Sequence, residues 1–404
     1  MISLPNIAIP YGAYWSSPFA KWQGALSHLH SVEFAAATAK RALALRHIDP
    51  NVFDFGVLGL TIPQKGAFYG LPWLMGRIGA AHVGGPTINQ ACATGLRSIF
   101  AGASEVASGC ADCALVIATD RTSNGPHIYY PAPGASGGTG SHEDWVIDNF
   151  NNDPFTGHPM INTAENVARR HGITTAEQHD VVLRRFDQYR DALSDGQAFQ
   201  KRYMELPFAV PDQKFAGTAT MLGGDEGIYQ TTANALAKLK PVLDGGSVTF
   251  GSQTHPADGT AGVIVTTVDR ARELSADRST VVRLISFGLA RVEAAHMPEA
   301  PVPAARKALK HAGLDIHDMS AIKSHNPFAV NDIVFARAFG IDVYRMNNYG
   351  SSLIWGHPQG PTGLRGTIEL IEELVVIGGG YGLFHGCAAG DTAMAMVIKV
   401  EDGR

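Results

Sequence analysis

The sequence lacks the features that mark a membrane-bound or secreted protein. No apolar run approaches the roughly 20 residues that a membrane-spanning helix needs. Residues 1–6 carry neither a basic segment nor a long apolar one, so we expect no secretory signal. Four cysteines in 404 residues are too few for a disulfide scaffold. We therefore expect a soluble, cytoplasmic protein with reduced thiols and no membrane partner.

An excess of positive charge and the common cofactor motifs are also missing. The formal net charge is −5, which argues against nucleic acid as the main partner. There is no dinucleotide-binding or P-loop glycine pattern and no serine elbow. Cys110 and Cys113 form a Cys-x-x-Cys pair, but no second pair follows to complete a zinc site. We expect no metal site and no permanently bound cofactor.

What the chain does contain is an alternation of helical and strand-like patterns. Helical periodicity over 31–46 precedes a compact apolar run at 52–60, and another apolar run covers 114–118. Such alternation predicts the α/β class with a mostly parallel sheet. Hydrophobic residues make up 45% of the chain, which is enough to bury a large core.

The composition changes twice along the chain and so divides it into segments. From residue 122 the sequence is rich in glycine, proline, asparagine and aromatics, and near 279 a strand–helix pattern begins again. We predict a first half made of 1–121 and 246–278, an inserted loop domain over 122–245, and a second half over 279–404.

Cys92 lies where a short strand-like run turns directly into a helical pattern. Backbone N–H groups and the dipole at a helix N-terminus would favour a thiolate there. The alternative interpretation is an ordinary buried cysteine that packs as a small hydrophobic residue. Position alone leaves both interpretations open.

An internal repeat supplies a partner for Cys92. The tetrapeptide at 94–97, Thr-Gly-Leu-Arg, recurs at 362–365, and each copy opens an amphipathic helix. Two similar halves would bring the two helix N-termini to one interface, and His357 precedes the second copy. A histidine beside Cys92 would serve as the base that a thiol nucleophile needs. His357 could also be a structural residue of its turn.

The C-terminal region adds two further candidates. Gly378, the first of three consecutive glycines, could bring a backbone N–H close to a ligand oxygen, as an oxyanion hole requires. Cys387 lies in the loop that follows. Two cysteines and a histidine in one site suit acyl transfer combined with proton transfer at carbon.

Several motifs, taken in order, resemble the thiolase superfamily. Residues 88–96 look like its nucleophile segment, and 160–168 are similar to its MGxTAENVA stretch. Residues 239–249 resemble the run before its coenzyme A loop, and 356–360 resemble its GHPxG motif.

The resemblance implies a duplicated, five-layered αβαβα fold with an inserted loop domain. It implies cleavage of a 3-ketoacyl-CoA by coenzyme A, or the reverse Claisen condensation, with Cys92 acylated and His357 as its base. It implies oxyanion stabilisation by His357 and by the backbone N–H groups of Cys92 and Gly378. By the same resemblance we assign contacts with coenzyme A to five residues, namely Met160, Tyr229, Ser252, Thr254 and Phe328.

The chain departs from the family pattern at three places. His325-Asn326-Pro327-Phe328 replaces the usual Asn-Glu-Ala-Phe and resembles the sterol-carrier-protein-like branch, so we expect His325 to take an oxyanion or water-positioning role. Val376 stands where many thiolases carry the acid/base cysteine, and we expect Cys387 to replace it. Tyr229 stands where some members have an arginine that contacts coenzyme A. These departures suggest a branched, aromatic or steroid-derived acyl group.

Other functions within the same fold stay open at this point. One alternative is a retro-aldolase that works with a small zinc-ribbon/OB-fold partner, although such enzymes usually lack the nucleophilic cysteine. Another is a ketoacyl-synthase-like condensing enzyme, which would use one cysteine and two histidines. A non-catalytic acyl-CoA-binding subunit is the third. The resemblance also implies a homodimer or a larger homo-oligomer.

Overall fold

The computed structural model of the protein describes residues 4 and 6–403. Most of the segment 1–6, where we expect no secretory signal, lies outside the described residues. The strands are β1 (Ile7–Pro10), β2 (Tyr14–Ser16), β3 (Ala20–Lys21), β4 (Phe55–Gly59), β5 (Thr87–Ile88), β6 (Cys113–Arg121), β7 (His127–Tyr130), β8 (Ser141–Asp144), β9 (Phe208–Pro211), β10 (Thr218–Leu222), β11 (Ala257–Thr267), β12 (Val281–Arg291), β13 (Met319–His325), β14 (Gly380–Ala388) and β15 (Thr392–Glu401).

The α-helices lie mostly between these strands. They are α1 (Ser31–Leu45), α2 (Gly70–Ile78), α3 (Thr94–Ala107), α4 (Ile147–Asn151), α5 (Met160–His171), α6 (Thr175–Ala192), α7 (Ser194–Lys201), α8 (Ala233–Leu236), α9 (Val268–Leu274), α10 (Pro301–Ala312), α11 (Ala329–Phe339), α12 (Ser352–Trp355) and α13 (Gly360–Val376). No helix in the described part of the chain combines the length and apolar character that crossing a membrane requires.

The large sheet has the same strand order in both halves of the chain. Its order is β13-β14-β15-β12-β1-β11-β6-β4-β5, with β2 and β3 also paired to β11. Outward from the central antiparallel β1–β12 pair, each half continues with two antiparallel pairings and then a parallel one. This shared order confirms the duplication that the repeated tetrapeptide suggested.

The expectation of a mostly parallel sheet is wrong, because the sheet is mixed. Parallel pairing joins β4 to β5 and β6, and β13 to β14. The other pairings are antiparallel. The turn between β14 and β15 spans only residues 389–391, which is too short for the crossover that a parallel pair needs.

Three apolar cores separate the helices and sheets into layers. Helices α1 and α2 pack on one outer face of the first half, together with side chains of β4, β6 and β11. Helix α10 packs on the outer face of the second half, against β12 and β15. Helices α3 and α13 lie between the halves and contact strands of both. This is the αβαβα arrangement that the resemblance implied.

The two copies of Thr-Gly-Leu-Arg cross each other in the central layer. A Cβ atom on Gly95 would lie 2.7 Å from the Gly360 carbonyl oxygen and 2.8 Å from the Leu364 nitrogen. A Cβ atom on Gly363 would lie 3.2 Å from the Leu96 nitrogen. Only glycine permits backbones to approach this closely. The repeated glycine therefore explains why α3 and α13 start side by side.

A buried ion cluster ties the region 122–245 to the central helix. Both terminal nitrogens of Arg365 donate to the Asp225 carboxylate, at 2.6 and 2.7 Å. The guanidinium also pairs with Glu369 and stacks over the Trp355 ring at 4.4 Å. The side chains of Arg365 and Asp225 are both fully buried. Removing either one would leave the other as an unpaired buried charge, which is strongly destabilising. The domain boundaries given above stay a prediction.

Replacing Gly95 with alanine should destabilise the protein by about 1–3 kcal/mol, because the new methyl group meets backbone atoms that no side-chain rotation can move. The measurement is chemical unfolding followed by fluorescence. Gly76→Ala is the matched control, since this exposed helical glycine has open space around its Cβ position and alanine favours helices. Equal stability of the two variants would contradict the close crossing.

Candidate active site

The cysteines and histidines that we predict to be catalytic lie where two helices begin and two parallel strands end. Cys92 precedes α3 by two residues, and His357 precedes α13 by three. His325 ends β13, and Cys387 is the penultimate residue of the adjacent β14. The close crossing of α3 and α13 brings the first pair together, and the parallel pairing of β13 with β14 aligns the second.

Cys92 is held as a neutral thiol. The preceding residue, Ala91, adopts a left-handed conformation with φ of +44°, which turns the chain sharply before the helix. The Cys92 thiol donates to Gln359 Oε1 at 3.2 Å, and the backbone N–H groups of Ala389 and Cys92 itself face the sulfur. Burial nonetheless raises the pKa of Cys92 to about 12. The expected thiolate at a helix N-terminus is thus wrong, since desolvation exceeds the stabilisation from these donors.

His325 and His357 stack against each other beside Cys92. Their ring centroids are 4.0 Å apart with an interplanar angle of 27°. The Cys92 sulfur and one nitrogen of each ring all lie within 4.8 Å of one another. Both Nδ1 atoms have hydroxyl partners, whereas both Nε2 atoms are buried and have no hydrogen-bond partner among the residues that the structure describes. Each of these two ring nitrogens, which lie beside a thiol, can therefore form a hydrogen bond with a ligand.

The Ser352 hydroxyl connects His325 to Asn326. It lies 2.9 Å from His325 Nδ1 and 3.1 Å from Asn326 Oδ1, which also accepts a hydrogen bond from the Leu353 N–H. The hydroxyl has one hydrogen and can donate it to either atom. When it donates to Nδ1, the hydrogen of the neutral imidazole lies on Nε2 and makes that atom a donor.

His357 has a partner that suits a base. Its Nδ1 lies 2.7 Å from the Thr362 hydroxyl. A hydroxyl can accept from a protonated Nδ1 or donate to a bare one, so Nε2 can gain and lose a proton without leaving Nδ1 unsatisfied. Burial lowers the pKa of His357 to about 3, which keeps the imidazole neutral at physiological pH.

Cys387 lies close to Cys92 and is deeply buried. The Asn331 side-chain amide donates to Cys387 Sγ at 3.2 Å. Burial raises the pKa of the Cys387 thiol well above its usual value, and the neighbouring Cys92 raises it further. Burial, then His357 and His385, likewise hold the pKa of His325 well below its ordinary value. The two cysteines and the two histidines are therefore uncharged at neutral pH and interact through hydrogen bonds.

Asp120, near the end of β6, binds backbone N–H groups around this site. Its carboxylate accepts hydrogen bonds from the backbone N–H groups of Thr61, Ile62 and Gly360, the last at 2.9 Å. Gly360 is the first residue of α13, so Asp120 caps that helix from the other half of the protein. Burial raises the pKa of Asp120 to about 7, and its carboxylate in turn raises the pKa of Cys92.

Comparisons with known proteins identify the family. The model of the thiolase N-terminal domain matches residues 14–269, and that of the thiolase C-terminal domain matches 278–400. The chain belongs to the thiolase family. It is accordingly an enzyme of the acyltransferase class.

Characterised thiolases resemble this chain over almost its whole length. The acetyl-CoA acetyltransferase of Allochromatium vinosum is 29% identical, covering 95% of this chain and 96% of the relative. The human mitochondrial 3-ketoacyl-CoA thiolase is 28% identical over the same shares. The crystal structure of the human enzyme matches with a TM-score of 0.89 and 27% identity, covering 98% of this chain and 100% of that chain. The same thiolase has also been solved in complex with CoA, and it matches with a TM-score of 0.87 at 26% identity, covering 99% of both chains.

Gly378 does not belong to this thiolase site. It is exposed at the start of the turn into β14, whereas Cys387 and Ala389 lie at the other end of that strand, about 25 Å away. Gly378, Gly379 and Gly380 all have positive φ, at +88°, +100° and +123°. The three glycines therefore serve the turn from helix to strand. The backbone N–H that faces Cys92 belongs to Ala389.

Ser252 is also excluded as a coenzyme A contact. The residue is fully buried, and its hydroxyl accepts from the Thr249 N–H at 2.9 Å and donates to Gln178 Oε1 at 3.0 Å. It closes a capping box and has no face toward a ligand. Thr254 is half-buried, and its hydroxyl donates to the Ser352 carbonyl. Its role toward coenzyme A stays a prediction.

The three other predicted coenzyme A residues differ in exposure. Phe328 is buried in the same apolar cluster as Cys387, and Met160 packs against that cluster from the start of α5. Tyr229 is 74% exposed on the loop before α8. Met160 and Phe328 thus lie beneath or beside the site, and Tyr229 lies on the surface. Their contacts with coenzyme A stay predictions.

Sequence reasoning missed two groups that touch the sulfur. Gln359 occupies the variable position of the GHPxG motif, so its residue type did not indicate a contact with Cys92. The Ala389 N–H was missed because a backbone donor leaves no mark on residue type. Ala389 lies two residues after Cys387 in a tight turn. This position near a predicted site residue was the one indication that its backbone N–H could face the site.

The same three ligand atoms of Cys92, His325 and His357 are near enough to hold a metal ion. A thiol and two imidazoles are also the groups that take part in nucleophilic acyl transfer, so the cluster by itself does not indicate a metal.

The rate at which iodoacetamide alkylates Cys92 should be low at pH 7 and rise about tenfold per pH unit through pH 9, because only the thiolate reacts and its pKa is about 12. Peptide mass spectrometry measures the rate. The exposed Cys110 provides an internal reference in the same digest. A Cys92 rate that levels off below pH 8 would contradict a neutral resting thiol.

Proposed function

We propose that the protein is a thiolase that cleaves a 3-ketoacyl-CoA with coenzyme A, or runs the reverse Claisen condensation, through an acyl-Cys92 intermediate. The observation that carries this proposal is the cluster in which Cys92 Sγ lies within 4.8 Å of ring nitrogens of His325 and His357. Coenzyme A and the acyl-CoA are substrates in this scheme, and the named thiolase relatives support that choice.

The first step forms the bond between the Cys92 sulfur and the ketone carbon of the substrate. Cys92 gives its proton to His357 Nε2, whose Nδ1–H then remains bonded to Thr362. With pKa values of about 12 for the thiol and about 3 for the imidazole, this transfer is unfavourable by itself. It becomes favourable as the sulfur is consumed in the new bond and the oxyanion gains donors.

The negative charge of the tetrahedral intermediate develops on the former ketone oxygen. In this scheme Ser352 donates to His325 Nδ1, so His325 Nε2 carries the hydrogen and donates it to this oxygen. The N–H groups of Ala389 and Cys92 provide the other donors. Prearranged donors in a buried site stabilise such charge strongly.

Cys387 completes the reaction as the second acid/base. When the carbon–carbon bond breaks, the leaving acetyl-CoA enolate takes a proton at C2 from the Cys387 thiol. The resulting thiolate then accepts the proton of the incoming coenzyme A, whose sulfur attacks acyl-Cys92. The released Cys92 sulfur recovers its proton from His357, so all proton transfers balance.

A ketoacyl-synthase-like condensation is the second candidate, because one cysteine and two stacked histidines also suit it. Cys387 distinguishes the two, since only the thiolase scheme requires it. We further propose a cytoplasmic homodimer or larger homo-oligomer. A zinc-ribbon partner and the branched, aromatic or steroid-derived acyl group are hypotheses that a 3-ketoacyl-CoA thiolysis screen, with and without any co-purifying small subunit, would test.

Incubation with acetyl-CoA should add one acetyl group to Cys92, detected by peptide mass spectrometry. Cys92→Ser should lose the adduct and reduce turnover by about three orders of magnitude or more, because the serine hydroxyl is a much weaker nucleophile than the thiol. Cys110→Ser is the control, since that exposed residue lies outside the site. Absence of the adduct together with unchanged turnover in Cys92→Ser would overturn the mechanism.

Cys387→Ala should keep acylation of Cys92 but slow deuterium exchange at C2 of acetyl-CoA by about 10²- to 10⁴-fold, because the exchange needs the second acid/base. NMR in D2O measures the exchange. Cys113→Ala is matched to it, since Cys113 is equally buried but packs in the α1–α2 core. Exchange that survives in Cys387→Ala would favour the condensing-enzyme alternative.

A further inference from the structure

Gln359 lies at the centre of the site, and the scheme above gives it no role. Its side chain is only 6% exposed. Its Oε1 accepts the hydrogen of the Cys92 thiol at 3.2 Å. The same amide is close enough to His357 to oppose the fall in the pKa of that imidazole. One amide oxygen therefore contacts the donor and approaches the acceptor of the first proton transfer.

The backbone of Gln359 is unusual for a residue with a side chain. Its φ and ψ are +61° and −104°, a combination that glycine adopts readily and other residues rarely do. The next residue, Gly360, is held in place by Asp120, which keeps this turn closed. Backbone strain of this kind persists where the surroundings over-determine it, and it clusters at functional sites. Here the strained turn directs the amide onto the sulfur.

A hydrogen bond to the neutral form of an acid disfavours its ionised form. The bond from Cys92 to Gln359 therefore holds the thiol protonated until something replaces it. Four other titratable groups face Cys92, namely His357 before α13, His325 at the end of β13, Cys387 on β14 and Asp120 at the end of β6. None of their side chains has a hydrogen bond to the sulfur among the described residues.

We propose that Gln359 is a positioning residue that binds the Cys92 hydrogen in the resting site and releases it when an acyl-CoA enters. The inference rests on the proposed function in that Cys92 is the nucleophile. It explains how a reactive cysteine is kept protonated between turnovers. An acyl group that displaces the amide frees the sulfur and leaves its proton to His357.

The test compares the pH dependence of Cys92 alkylation in three variants. Gln359→Met keeps the bulk but removes the acceptor, and should raise the rate at pH 8 about tenfold, the effect of losing one ordinary hydrogen bond. Gln359→Gly should act in the same direction and also keep or raise the thermal unfolding midpoint, because glycine relieves the strain. Gln359→Glu places a carboxylate beside the sulfur and should lower the rate.

Gln90→Met is the matched control, because the Gln90 amide oxygen accepts from Arg97 at 2.7 Å and does not bond the sulfur. It should leave the pH profile of Cys92 unchanged. Folded Gln359→Met and Gln359→Gly variants with the wild-type profile would overturn the proposal. Alkylation needs no acyl-CoA, so this result is separate from failure of the proposed function, which is absence of acetylated Cys92 in the wild type.

Discussion

The contact between the backbones of α3 and α13 is the constraint on which the site depends. Gly95 and Gly363 let the two helices start within van der Waals distance, and a methyl group on Gly95 would meet the Gly360 carbonyl. The residues just before each helix are then forced together, and these are Cys92 and His357. Asp120 reinforces the arrangement by capping α13 from a strand of the other half.

Burial controls the electrostatics of the cluster formed in this way. It raises the pKa of both cysteines and lowers that of both histidines, so each group rests in its neutral form. Neutral groups make hydrogen bonding the main interaction at the site. The hydroxyls of Ser352 and Thr362 serve as hydrogen-bond partners for Nδ1 of His325 and His357, and each hydroxyl can donate or accept. The half-buried, neutral Cys92 therefore depends on the hydrogen-bonding groups around it for its reactivity.

Some of the fold and much of the site could be predicted from residue patterns. The helix predicted over 31–46 is α1 (Ser31–Leu45), and the repeated Thr-Gly-Leu-Arg pointed to the duplication that the strand order confirms. The sheet's mixed character could not be predicted, because strand direction depends on connections that periodicity does not encode. The oxyanion role predicted for Gly378 is wrong, because three consecutive glycines are as typical of a tight turn as of an oxyanion hole. Only the path of β14 distinguishes these uses.

The sequence by itself determined the family motifs, the two cysteines and two histidines, and the repeat that pairs the halves. These features depend on residue type and order, which the chain states directly. The tertiary structure decided that the sulfur rests protonated, that its donor is Ala389 and that Gln359 accepts its hydrogen. Those properties arise from desolvation, from a backbone group and from a strained turn, and all three exist only once distant segments pack together.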